Sequence, residues 1–133
     1  MISLLLADDN PSMLTALVHM LQQDFSIVGT VSNGVSVVAE AAHLNPDVIL
    51  LDISLGDITG FQVAERLRSK EVPSKILFLS VHENPEFVRA AEDMGISGYV
   101  FKSQISRDLV DAIDAVAQGK HFFPGGSSEY GSP

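Results

Sequence analysis

At 133 residues, with 46% hydrophobic and 19% charged side chains, the chain has the size and composition of one globular domain, not of a disordered or fibrous segment. Its 17 Asp and Glu against 8 Lys and Arg give a formal net charge of -9, which argues against direct binding to nucleic-acid phosphates. Cysteine is absent, which excludes disulfides, thiolate metal sites and a thiol nucleophile. With no secretory leader and no apolar run long enough to cross a bilayer, the sequence reads as soluble and cytoplasmic.

Two textures alternate along the chain. The first apolar run, ISLLLA at 2–7, ends on Asp8 and Asp9, and Asn10-Pro11 then supplies a helix N-cap with proline at the first helical position. Leu14, Leu17, Val18 and Leu21 follow at helical spacing. A second run, FSIVGTVS at 25–32, precedes a weaker helical pattern over about 35–44, and DVILLD at 47–52 precedes another over about 60–69. KILFLS at 75–80 leads to a second capping pair, Asn84-Pro85. GYVF at 98–101 precedes a last helix marked by Leu109, Val110, Ile113, Val116 and Ala117. Most of the apolar runs lack a polar face and so predict strands buried on both sides. Five strand-helix alternations predict a parallel sheet with right-handed crossovers and helices on both faces. No internal repeat is evident, and the closing PGGSSEYGSP, rich in Gly, Ser and Pro, predicts a flexible linker or tail over 125–133 after a domain spanning 1–124.

In an open parallel sheet, functional groups collect at the carboxyl ends of the strands. Asp8 and Asp9 follow the first strand, Asp52 ends the third, Ser80 ends the fourth and Lys102 follows the fifth, so all five should meet on one edge. Crowded carboxylates raise one another's pKa unless a cation compensates them. Hard oxygen ligands of this kind point to magnesium. Each residue alone also has a plainer reading. Asp8 and Asp9 suit the positive end of a following helix, Asp52 suits a turn, and Ser80 and Lys102 suit a surface loop. The joint pattern is harder to explain that way, because separate strands would have to deliver three acids, a hydroxyl and an ammonium to one rim.

Together, LLADDN, DVILLDISLGDITG, ILFLS and GYVFK resemble the motifs of receiver domains from two-component response regulators, over 2–124. LVDAIDAVAQGKHFFP further resembles the last helix and exit of the NarL/FixJ (LuxR-type) subfamily. The resemblance implies a flavodoxin-like (CheY-like) doubly wound five-stranded sheet in the order 2-1-3-4-5 with five helices. It implies that Asp52 accepts a phosphoryl group from a phosphohistidine of a sensor histidine kinase, in a magnesium-dependent reaction catalysed only on itself. Asp9 and Asp52 would hold the metal, with help from Asp8 and the Ser54 carbonyl; Lys102 and Ser80 would engage phosphoryl oxygens. Ser80 and Tyr99 would form the switch, changing the partner preference of the surface built by the fourth helix, fifth strand and fifth helix, including homodimerisation.

Two positions depart from the family pattern. Gly56 and Ser103 stand where many relatives carry proline, the second of them after a cis bond, which leaves the Lys102-Ser103 geometry open and predicts a more mobile loop around Gly56. Ser54 and His82 lie two residues past Asp52 and Ser80, at positions that tune phosphoryl lifetime in the family. The four histidines, His19, His43, His82 and His121, lack zinc-site spacing and read as unconnected surface or rim groups. The subfamily usually carries a helix-turn-helix domain; only nine residues follow Pro124, so DNA contact is expected only through a longer parent protein. A phosphatase of the haloacid dehalogenase type would need a D-x-D pair where ADDN has adjacent acids. A phosphate-independent dimerisation module is the remaining alternative.

Overall fold

The computed structural model describes residues 1–124; the linker or tail expected at 125–133 lies outside the described residues. Five parallel strands, β1 (Ser3–Ala7), β2 (Ser26–Val31), β3 (Val48–Leu51), β4 (Lys75–Ser80) and β5 (Gly98–Phe101), form one sheet in the order β2-β1-β3-β4-β5. The helices are α1 (Pro11–Leu21), α2 (Gly34–Leu44), α3 (Gly60–Ser69), α4 (Pro85–Asp93) and α5 (Ile105–Ala117), with a 3-10 turn at Lys102–Gln104. The resemblance to receivers implied this strand order, which periodicity alone does not determine.

The sheet divides the core in two. Leu5, Ile49, Leu51, Phe78 and Tyr99 face one way and pack with α2, α3 and α4 residues such as Val37, Val63 and Ala91. Leu4, Leu6, Leu50, Leu77 and Val100 face the other way, against Leu17 and Leu21 of α1 and Leu109 and Ile113 of α5. This two-sided burial explains why β1 and β3 read as continuous apolar runs. By contrast, β2 is an edge strand whose residues alternate between exposed and half-buried.

Local chemistry places the helix starts. Asn10, Asn33 and Asn84 cap α1, α2 and α4, and Thr59 and Gln62 form a reciprocal capping box on α3. All described peptide bonds are trans, including Lys102-Ser103. Ser103 instead donates its hydroxyl to Glu83 at 2.6 Å, joining the loop after β5 to the loop after β4. Beyond α5, the Phe122 amide donates to the Ser97 carbonyl and the Tyr99 amide to the Phe122 carbonyl, so the exit segment pairs with the start of β5.

Candidate functional site

The carboxyl ends of β1, β3, β4 and β5 lie side by side, and the sequence-predicted residues gather there. Asp8 is buried and Asp9 exposed, so the adjacent acids occupy different surroundings. Asp8 Oδ1 accepts the Asn10 amide at 2.9 Å, steering the chain into α1. Its Oδ2 lies 2.7 Å from Lys102 Nζ, and the same ammonium lies 3.0 Å from Asp52 Oδ2. Asp52 Oδ1 accepts the Ser54 amide at 3.2 Å. Carboxylate oxygens of Asp8, Asp9 and Asp52 come within 4.8 Å of one another.

One ammonium shared between Asp8 and Asp52 leaves this cluster under-compensated. Burial pushes the Asp52 carboxyl above its ordinary range, and the Asp8 charge adds to this, although Lys102 and the Ser54 amide pull the other way. For Lys102, burial works against the charge, but the bonds to Asp8 and Asp52 prevail and raise its pKa. Three carboxylates facing one ammonium carry two excess negative charges when ionised. That balance, with hard oxygen donors, fits a divalent cation such as magnesium.

Ser80 closes β4 fully buried, and its Oγ accepts the His82 amide at 3.1 Å. Tyr99 is also fully buried, and its hydroxyl donates to the His82 carbonyl at 2.7 Å. Burial raises the pKa of the Tyr99 phenol, so it remains a donor. The His82 ring sits 4.5 Å from the Phe87 ring, and Nε2 approaches Ser54 Oγ at 3.3 Å. His82 is therefore not the unconnected rim histidine its sequence position suggests; it bridges the loops after β3 and β4.

The loop after Asp52 is built as a closed hairpin. The Gly60 amide donates to the Ile53 carbonyl at 2.7 Å, and an antiparallel bridge pairs Ser54 with Thr59. Asp57, at the hairpin tip, received no role from sequence reasoning. Its partners lie in α2, more than twenty positions away, and no local pattern marks such a contact.

The fold and this acidic pocket define the class: an open α/β receiver with its side-chain cluster at the carboxyl edge. The family described as response regulator receiver domain matches residues 4–114, and the chain belongs to it. It is similar to the nitrate/nitrite response regulator protein NarL of Escherichia coli, with 32% identity over 120 residues, covering 89% of this chain and 56% of that protein. Among solved structures it resembles the receiver domain of the response regulator NarL from Mycobacterium tuberculosis, with TM-score 0.84, 29% identity and coverage of 90% and 98% of the two chains. The non-phosphorylated receiver domain of RcsB from Escherichia coli gives TM-score 0.85 at 25% identity, covering 93% and 98%. The chain spans only 56% to 62% of the curated regulators it matches. Among the described residues, no helix is long and apolar enough to cross a membrane.

Proposed function

We propose that this receiver domain works in the cytoplasm and takes a phosphoryl group onto Asp52 from a phosphohistidine of a sensor histidine kinase. The observation that carries the reading is the buried Asp52 carboxylate, sharing one ammonium with Asp8 beside the exposed Asp9. An Asp52 oxygen attacks phosphorus; a P–O bond forms, the P–N bond breaks, and the leaving imidazole takes up a proton. Phosphoryl transfer of this kind depends on positioning and charge balance more than on proton transfer at the acceptor.

Asp9 and Asp52 are assigned to hold magnesium, with Asp8 and the Ser54 carbonyl assisting. When bound, magnesium supplies neutralising charge to the phosphoryl oxygens. Lys102 exchanges its pairing with Asp52 for one phosphoryl oxygen, acting as a compact point charge. Ser80 donates its hydroxyl to another, and this movement is passed to Tyr99 through the His82 segment that both touch. The surface of α4, β5 and α5 then changes its preference for partners, a second copy of the chain among them. DNA contact belongs to a C-terminal domain of a longer parent. That reading is supported by relatives such as the DNA-binding transcriptional activator EvgA of Escherichia coli, of which this chain spans 59%.

The test is intact mass after incubation with acetyl phosphate, with and without magnesium. One added phosphoryl group that requires magnesium and vanishes in Asp52→Ala is the expected result. No addition to the wild-type chain overturns the reading and leaves the phosphate-independent dimerisation module as its replacement.

A further inference from the structure

Gly56 lies four residues past Asp52 and adopts φ 90°, in the left-handed region. Proline, fixed near φ of about -65°, cannot take that conformation. The loop is therefore not stiffened by a proline at this position, and glycine alone would leave its tip free. Asp57 supplies a different restraint. One carboxylate oxygen accepts the Gly34 amide at 2.8 Å, and the other accepts the Val35 amide at 3.0 Å. Both donors are free amides of the first turn of α2, where no intrahelical partner exists. These bonds hold the Asp57 carboxyl down at about 2. A Cβ at Gly34 would lie 2.4 Å from Ile58 Cγ1, so a larger residue there would force the side chain next to Asp57 to shift.

The pinned tip is continuous with the site. Gly56 faces the Asp9 carboxylate, with a built Cβ 4.0 Å from Oδ2. Ser54 lies at the other end of the same hairpin, bridged to Thr59, with its amide on Asp52. A tip anchored on α2 thus sets where the Ser54 carbonyl and the wall beside Asp9 stand. We infer that Asp57 is a positioning residue that clamps the loop after Asp52 onto α2 and so preorganises the magnesium site. The inference rests on the proposed function, because it assigns Asp57 a part in that same site.

Calorimetric titration with magnesium chloride alone, without a phosphodonor, tests it. Asp57→Ala should weaken magnesium binding about tenfold, as expected when a residue supporting metal ligands is lost. Asp57→Asn keeps one acceptor oxygen and should fall between Ala and wild type, whereas a purely electrostatic role predicts that the two variants bind alike. The ordering should persist at about 0.5 M salt, where exposed charges are screened. Equal affinity in wild type and Asp57→Ala, with only the melting temperature lowered, overturns the clamp and leaves the functional reading standing. Equal weakening in Asn and Ala that disappears in salt also overturns it. A wild-type chain that binds no magnesium overturns the functional reading and the clamp with it.

Discussion

Lys102 Nζ stands between two buried carboxylates, 2.7 Å from Asp8 and 3.0 Å from Asp52, and balances only one of the two charges. Removing one partner of a buried ion cluster strands the rest. Lys102→Ala should lower stability in magnesium-free buffer by about 3–5 kcal/mol. Magnesium should restore part of that loss, and urea unfolding with and without the metal measures both effects.

The Asp52 carboxyl gives the opposite sign. Its folded pKa is raised above the unfolded value of 3.8 because it is buried. The folded state therefore holds this proton more tightly. The resulting stabilisation is fully present below pH 3.8 and is lost as pH rises through the folded pKa. At neutral pH without magnesium, Asp52→Asn should raise the melting temperature by about 3–5 °C, near 1 kcal/mol. The same variant should accept no phosphoryl group, as intact mass will report.

Asp57 titrates the other way, with a folded pKa lowered to about 2. Its contribution is present above pH 3.8 and is lost as pH falls through about 2. A stability profile between pH 5 and 1.5 should be less steep on its acid side in Asp57→Asn than in wild type. Circular dichroism melts along that series provide the comparison.

Tyr99→Phe retains the buried ring but deletes the hydroxyl that reaches the His82 carbonyl. The loss should be about 1 kcal/mol in urea unfolding. Phosphoryl uptake by Asp52 should persist, because the Tyr99 hydroxyl donates to the His82 carbonyl and not to the Asp52 carboxylate. Coupling to the α4–β5–α5 surface should weaken, seen as smaller phosphorylation-dependent amide shifts there.

Gly60 tests how tightly backbone geometry supports Asp52. A Cβ there would lie 2.8 Å from the Asp52 carbonyl oxygen and 2.9 Å from Ile53 Cα, both backbone atoms that cannot rotate away. Gly60→Ala should destabilise the domain by about 1–3 kcal/mol and slow phosphoryl uptake, measurable in parallel by urea unfolding and timed intact-mass sampling.

Much of the architecture is decided by local chemistry and can be read without coordinates. Continuous apolar runs mark β1, β3 and β4, because a strand between two helical layers has no wet face. Asn10-Pro11 and Asn84-Pro85 mark the starts of α1 and α4, because an N-cap and a proline at the first helical position satisfy the helix end locally. The candidates Asp8, Asp9, Asp52, Ser80 and Lys102 could be named for a related reason: each follows or ends a strand, and parallel strands deliver their ends to one edge.

Only the tertiary structure decided how those residues pair. Lys102 settles on Asp8 and Asp52, separated from them by 94 and 50 positions, because the sheet order places β5 beyond β4 on the side away from β1 and its side chain reaches back across the rim. His82 meets Ser54 across 28 positions, and Asp57 meets Gly34 and Val35 across 23 and 22. Such contacts leave no periodic or capping trace in the chain, since neither partner's sequence neighbourhood constrains the other. The sequence by itself determined which chemistry is carried to the edge of the sheet; packing of distant loops determined which charge is compensated, which loop is pinned and which carboxylate remains open to solvent.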